Sequence, residues 1–294
     1  MEVTTRLAPV LRPVVGTFQF MRRWPVLPLV LLALLLVTAA FAPLMAPHDP
    51  TVQELKDRNT PPIWYAEGSG QYALGTDHLG RDLLSRIVYG ARISLLVMGV
   101  ALVTGCIIGS VLGLVAGYFG GYLDELIMRL VDIWMAIPFI LVAMIVAIVM
   151  GPSVKLIMGL LALMTWTGFV RNVRAEVLSL KQRDYVALAS VAGASTARII
   201  SRHILPGVIN TITVIATLRV GQLIMAEATL SFLGVGIPAP TPAWGLMVAE
   251  GRAYVRSAWW MTFFPGLAIL LVVTSLNFMG DWLRDRLDPR LRQL

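Results

Sequence analysis

A chain of 294 residues that is 57% apolar and only 14% charged, with a mean hydropathy of +0.77, is not a soluble globular domain, where about a quarter of residues carry charge. So much apolar surface needs lipid as its solvent, and several stretches reach the roughly 20 residues that cross a bilayer as a helix. The net charge of +7 does not point to nucleic acid, because basic residues flanking apolar spans set membrane orientation.

Six spans are predicted, at 24–46, 93–117, 127–150, 154–170, 209–233 and 260–280. The first follows Arg6, Arg12, Arg22 and Arg23. Its apolar run is longer than the roughly 7–15 residues of a cleavable signal, so it is expected to be retained. Between the spans lie a polar loop at 47–92, short turns at 118–126 and 151–153, a basic segment at 171–208 and a Pro-rich loop at 234–259. The basic segment holds Arg171, Arg174, Lys181, Arg183, Arg198 and Arg202, and the tail holds Arg284, Arg286, Arg290 and Arg292. In the loop 47–92, Asp49, Glu54, Asp57, Glu67, Asp77 and Asp82 offset the basic residues. The positive-inside rule then places both termini and the segment 171–208 in the cytoplasm, and the loops 47–92 and 234–259 outside.

Span two carries Gly105, Gly109, Gly113 and Gly117, each four residues after the last. That spacing puts them on one helix face, where another helix can approach closely. Packing within the chain and packing against a partner subunit both satisfy the pattern. The single cysteine, Cys106, lies in the same span and reads as a small packing residue. Span three contains Pro138, which removes a backbone donor and bends the helix. Asp132, near the start of that span, reads as a capping or snorkelling acid, with orientation of a basic residue at the interface as the alternative. Glu227 in span five is the clearest intramembrane acid. A charge there has to face a cavity or a partner, and Arg219 on the same span, a residue of a second subunit and a substrate ammonium are all open to it. His78 and His203 have no metal-ligand spacing around them, and no metal is expected. Pro238, Pro240 and Pro242 stiffen the loop 234–259.

The most informative stretch is RDYVALASVAGASTARIISRHILP, Arg183 to Pro206. It is too polar to cross a membrane and too patterned for an idle loop. Asp184 can start a helix, since a carboxylate suits that end of the dipole. Gly193 fits the left-handed position that ends one. Ser195 is a good N-cap for a second helix. In it Ile199, Ile200, His203 and Ile204 share one face, Arg198 and Arg202 share another, and Pro206 is expected to mark re-entry into the membrane. The result is a helix–turn–helix elbow, suited either to lying on headgroups or to docking a partner.

This elbow resembles the cytoplasmic loop of bacterial ABC importer permeases of the binding-protein-dependent class, which follows Glu-Ala-Ala, three residues, Gly, about nine residues and Ile-x-Leu-Pro. Gly193 matches the glycine, and His203-Ile204-Leu205-Pro206 stands at the end. Ala187, Leu188 and Ala189 occupy the Glu-Ala-Ala places, so the family glutamate is missing. GTDHLGRDLLSRIVYGARISL (Gly75 to Leu95), EATLSFLGVGIPAPTPAWG (Glu227 to Gly245) and GDWLRDRLDPRLR (Gly280 to Arg292) resemble the dipeptide/oligopeptide, C-type subfamily.

The resemblance implies an all-α polytopic bundle of six spans with the type I ABC importer permease fold and cytoplasmic coupling helices. It divides the chain into an N-terminal arm, first span and external segment (1–90), a transmembrane permease domain (91–285) and a tail (286–294). It implies a pathway-forming subunit, paired with a second homologous permease, two cytoplasmic ATPases and an external peptide-binding protein. ATP and magnesium would then sit on the ATPases, and no Gly-x-x-x-x-Gly-Lys-Ser/Thr phosphate loop occurs in this sequence. The coupling surface would be Asp184, Tyr185, Ala187, Leu188, Ala189, Gly193, Ala194, Ser195, Arg198, Ile199, Arg202 and Pro206. Nickel chelates and glutathione are the alternative cargoes within the subfamily. An ion-coupled secondary transporter would need coupling acids and inverted repeats, and no such repeat is visible. An intramembrane hydrolase would need a histidine near Ser110, Ser231 or Ser275, and all three histidines lie outside the predicted spans.

Overall fold

The computed structural model describes residues 25–287. The arginine-rich arm and the end of the tail, on which part of the orientation reading rests, lie outside them. Among the described residues there is no strand, only an isolated bridge between Thr76 and Asp82. Nine helices carry the fold: α1 (Val26–Ala40), α2 (Leu83–Phe119), α3 (Gly121–Ala136), α4 (Phe139–Met150), α5 (Val154–Lys181), α6 (Asp184–Val191), α7 (Thr196–Phe232), α8 (Trp244–Gly251) and α9 (Trp260–Leu287). The all-α membrane bundle is thus as expected. Four helices (α2, α5, α7 and α9) are long and apolar enough to cross a bilayer, or five spans if α3 and α4 count as one. Helix α1, 15 residues long, starts at the edge of the described residues, within the expected first span. It stops at Phe41, because Pro43 has no N–H and its ring clashes with the carbonyl four residues back, and the chain resumes with a single turn, Ala42–Met45.

Local chemistry sets the helix ends. The Asp82 carboxylate accepts from the backbone N–H of Ser85 (2.9 Å) and starts α2. The Ser153 hydroxyl accepts from the N–H of Leu156 (3.1 Å) and starts α5. Between α3 and α4 the axis turns by 81°. Ile137 is extended there (φ −98°, ψ 126°), as the residue before proline prefers. Pro138 therefore breaks the predicted third span rather than bending it. The fourth span was expected to end near residue 170, but α5 continues to Lys181, since hydropathy does not register a helix that projects beyond the lipid.

The glycine stripe settles on the chain's own α5. Gly105, Gly109, Gly113 and Gly117 are all buried. A Cβ added at any of them would come within 2.4–2.8 Å of residues between Ala162 and Val177. At one end of the bundle a cap forms from residues 46–82 and α8. Trp244 donates to the Ile87 carbonyl (3.0 Å) and Trp260 to the Thr76 carbonyl (3.1 Å). At the other end a separate apolar cluster of Val173, Val177, Leu180, Val186, Ile199, Ile204 and Val208 fastens the elbow to α5.

Candidate functional site

The elbow consists of α6, a turn and the first residues of α7. Helix α6 starts at Asp184 and is closed at its other end by two backbone bonds, Gly193 N–H to Ser190 O and Ala194 N–H to Ala189 O, both 3.0 Å. That pattern needs a left-handed residue at the hinge, and Gly193 supplies it at φ 77°. Ser195 stands at the N-cap of the next helix, but its hydroxyl makes no capping bond. The second helix of the elbow does not end before Pro206. The chain runs from Thr196 to Phe232 as one helix of 37 residues. Proline has no N–H and its ring clashes with the carbonyl four residues back. The helix absorbs this in a π turn at Ile200–Ile204, where the Leu205 N–H reaches the Ile200 carbonyl.

The elbow's faces also differ from expectation. Ile199 is 4% exposed and packs inward with Val186 and Ile204, so it offers no docking surface. Ala189 and Ala194 pack partly against the same cluster. The outward apolar surface is instead Tyr185, Leu188 and Val191, at 46%, 68% and 87% exposure. Asp184, Ala187, Ser195, Arg198, Arg202 and Pro206 are exposed around it.

Within the spans, Glu227 is buried and accepts from the Ser231 hydroxyl at 2.7 Å. Among the described residues its second oxygen and the buried Ser94 hydroxyl have no hydrogen-bond partner. Arg219 does not pair with it. The two lie two turns apart on α7, about 12 Å along the axis. Arg219 instead donates to the Gln222 side-chain oxygen (2.9 Å) and fills the space left open by Gly168 of α5, where a Cβ would stand 2.3 Å from its Nη2. Asp132 is no mere capping acid, since it pairs with Arg171 at 2.5 Å. One helical stretch earlier Asp124 takes Arg174 in a two-pronged bond of 2.5 and 2.6 Å. These pairs hold α3 against α5.

The cap contains the most heavily buried charges. Arg81 and Arg86 are 1% and 0% exposed, and Asp77 is 2% exposed. Arg81 Nε donates to Asp77 (2.6 Å) and its Nη2 to Glu250 (2.8 Å). Arg86 also bonds Asp77 and lies 3.0 Å from Glu250. Burial alone would raise the Asp77 carboxyl, but the Arg86 and Arg81 guanidinium groups and the N–H donors of Arg81 and Leu79 outweigh it and hold the carboxyl below its ordinary range. His78 has its ring stacked on Tyr254, and it groups with Asp77 and Glu250, with ligand atoms within 4.8 Å of one another. Both carboxylates are already engaged by arginine.

Residues 109–293 match the family described as "Binding-protein-dependent transport system inner membrane component", and 22–62 match the "N-terminal TM domain of oligopeptide transport permease C". The chain belongs to this permease family. Curated relatives agree along 90% of its length. The di/tripeptide transport system permease protein DppC of Pseudomonas aeruginosa is 43% identical, with 87% of that protein covered. The dipeptide transport system permease protein DppC of Escherichia coli K12 is 45% identical, with 88% covered. The Bacillus subtilis protein of the same name is 41% identical, with 81% covered. The permease is a multi-pass inner-membrane protein.

Sequence reasoning missed the permease's cap cluster and the Asp124–Arg174 pair. The available signal was Asp77, Arg81, Asp82 and Arg86, four charges within ten residues of an apolar span. Their partner Glu250 stands 169 positions from Arg81, and no local pattern joins them.

Proposed function

We propose that the chain is the pathway-forming permease subunit of an ATP-binding-cassette importer that moves di- or oligopeptides across the cytoplasmic membrane. It pairs with a second homologous permease. Two cytoplasmic ATPases bind ATP and magnesium, and an external peptide-binding protein delivers cargo at the cap. Both termini and the elbow are cytoplasmic. The peptide cargo is supported by relatives whose printed names are peptide permeases. The supply of energy by partners is supported by the missing phosphate loop.

The observation that carries the reading is the elbow itself. It is a closed two-helix unit, fixed to α5 on one side, that turns Tyr185, Leu188 and Val191 outward with Arg198 and Arg202 beside them. Apolar surface ringed by charge is what a protein partner covers. Because the family glutamate is Ala187 here, the dock depends on shape and apolar contact more than on an ion pair.

The test is Gly193→Val in the assembled transporter. A β-branched residue is strained at a left-handed position, and a Cβ there touches nothing within 4 Å, so the damage stays in the turn. The variant should insert and pair with its partner permease, yet lose the ATPases or hydrolyse ATP without dipeptide uptake. Normal ATPase binding and uptake in Gly193→Val and in Leu188→Glu together would show that the elbow is only a surface helix.

A further inference from the structure

We propose that the cap is anchored in the membrane interface by an aromatic patch whose partner is the boundary between phospholipid headgroups and acyl chains. The patch consists of Ile63, Trp64 and Tyr65 from the cap, with Trp259 and Phe263 at the start of α9. All five are exposed, and Ile63, Trp64 and Phe263 are so at 53%, 57% and 51%.

The level of the patch follows from α9. Between Arg256 and Asp281 the chain carries no charged residue. Residues 260–280 of that run are helical throughout. At about 1.5 Å per residue they extend about 31 Å, which matches a hydrocarbon core of about 30 Å. Trp259 and Trp260 therefore stand at one edge of the core, and Asp281 and Trp282 at the other. Tryptophan and tyrosine suit those two edges, because the ring sits among acyl chains while the N–H or O–H reaches water or headgroups.

Direct contacts with α9 hold the cap residues at the same level. Trp259 Nε1 donates to the Tyr65 hydroxyl at 3.0 Å. The Tyr65 ring lies 6.1 Å from that of Trp260, and the Trp64 ring meets Phe264 edge-on at 6.0 Å. Trp260 is itself buried and donates to the Thr76 carbonyl, so the rings and the cap move together.

Two features favour lipid over water or a soluble protein as the partner. Phe263, Leu270 and Phe278 are all exposed, and they lie within about 80° of one another around the helix axis. The patch is thus the end of an apolar stripe that runs along the span, and not an island on the crown of the cap. Charge returns as soon as the rings end. Glu67 follows Tyr65 by two residues, Arg256 precedes Trp259 by three, and both are exposed. Among the described residues the Tyr65 O–H has no acceptor, and a headgroup phosphate or ester carbonyl supplies one. The segment 47–92 is polar by composition, yet its residues 63–65 are immersed in the interface and fix the height of the cap.

The experiment uses the complete transporter, with its partner subunits, in phospholipid nanodiscs. Ile63→Cys leaves every ring in place and is spin-labelled in a Cys106→Ser background, which removes the chain's own thiol. The signal of the same complex without the introduced cysteine is subtracted. Gly70→Cys, in the polar turn of the same segment, is the aqueous comparison, since a Cβ there meets nothing within 4 Å. Oxygen, which concentrates in lipid, should relax the label at 63 several-fold more than the label at 70, and water-soluble chromium oxalate several-fold less. Equal access of chromium oxalate at the two positions would place the patch in water and overturn the proposal. Access by neither agent at 63 would show that a protein subunit covers it, which overturns the proposal as well. Should Ile63→Cys fail to assemble, Trp64→Phe decides, because it keeps a ring in place. The tryptophan emission it removes should be quenched by phospholipid brominated high on its acyl chains and not by aqueous acrylamide. Quenching by acrylamide, or by neither, would refute the anchor.

Discussion

Gly109 is where α2 and α5 press closest. A Cβ there would lie 2.4 Å from the Trp166 carbonyl oxygen and 2.6 Å from Phe169 Cβ. Ordinary contacts fall near 3.5 Å, so one methyl group is short of room by about 1 Å. The obstacle is helix backbone, which cannot swing aside, so the helices must part. Overpacking of this kind costs about 1–3 kcal/mol. Against it, replacing glycine by alanine within a helix returns about 1 kcal/mol of backbone entropy. Gly99 lies on the same helix, and a Cβ there meets nothing within 4 Å, so only the favourable contribution acts. Gly109→Ala should therefore be about 1–3 kcal/mol less stable than Gly99→Ala, although the chemical change is identical. Heat unfolding of the purified permease in mild detergent, followed by tryptophan fluorescence, measures the difference. Stabilities within about 0.5 kcal/mol of each other, the scatter of a neutral substitution, would refute close approach of α2 and α5 at this level.

Three further outcomes are expected. Asp77→Ala leaves two buried guanidinium groups sharing Glu250 as one acid, and the uncompensated charge should destabilise the cap by about 3–5 kcal/mol, read as faster proteolysis of the 46–82 segment. With Asp77 below its ordinary value of 3.8 in the fold, its contribution is complete above that pH and is lost only as pH falls through the lower, folded value. Cap protection should therefore persist to about pH 4 and collapse below it. Tyr72, whose phenol is pushed up to about 12 by burial and by the Asp57 and Glu54 carboxylates, should stay protonated past pH 10 in an absorbance titration. Its contribution is present below the unfolded value of 10.0 and fades as pH rises through 12, and Asp57→Ala should bring the titration down. A double-mutant cycle on Asp124 and Arg174 should give about 0.5–1.5 kcal/mol of coupling, and removal of either should loosen α3 from α5 in disulfide-trapping experiments.

What was legible in the sequence was what a few neighbouring residues decide. Gly193 announced a left-handed turn because its alternatives are sterically excluded. The four-residue glycine spacing announced a close helix contact, though not which helix would make it. Pro138 announced a disruption, but its 81° size follows from Ile137 having gone extended as well. The elbow's inward face was misread because both Ile199 and Leu188 are apolar, and only the position of α5 decides which of them is covered. At Pro206 the sequence did not show that the two helices join. The proline ring does forbid a regular helix, and a π turn keeps the helix continuous at the cost of one displaced hydrogen bond. The pairs Arg81–Glu250, Asp124–Arg174 and Asp132–Arg171 join segments far apart in sequence, and charge pattern alone does not match such partners.

The unbroken run from Thr196 to Phe232 makes the elbow and the outermost turn of α7 two ends of a single rod about 55 Å long. Tilting such a rod by only 5° about one end carries the other through about 5 Å, roughly the pitch of one helical turn. The buried Glu227 and Ser231 ride near the distal end, with Arg219 part-way along. A small angular change at the elbow thus becomes a displacement of residue dimensions at the far end of α7, with no refolding in between. The π turn at Ile200–Ile204 is the one place on that rod where hydrogen bonds have already been re-paired, so its stiffness sets how much of the angle is transmitted.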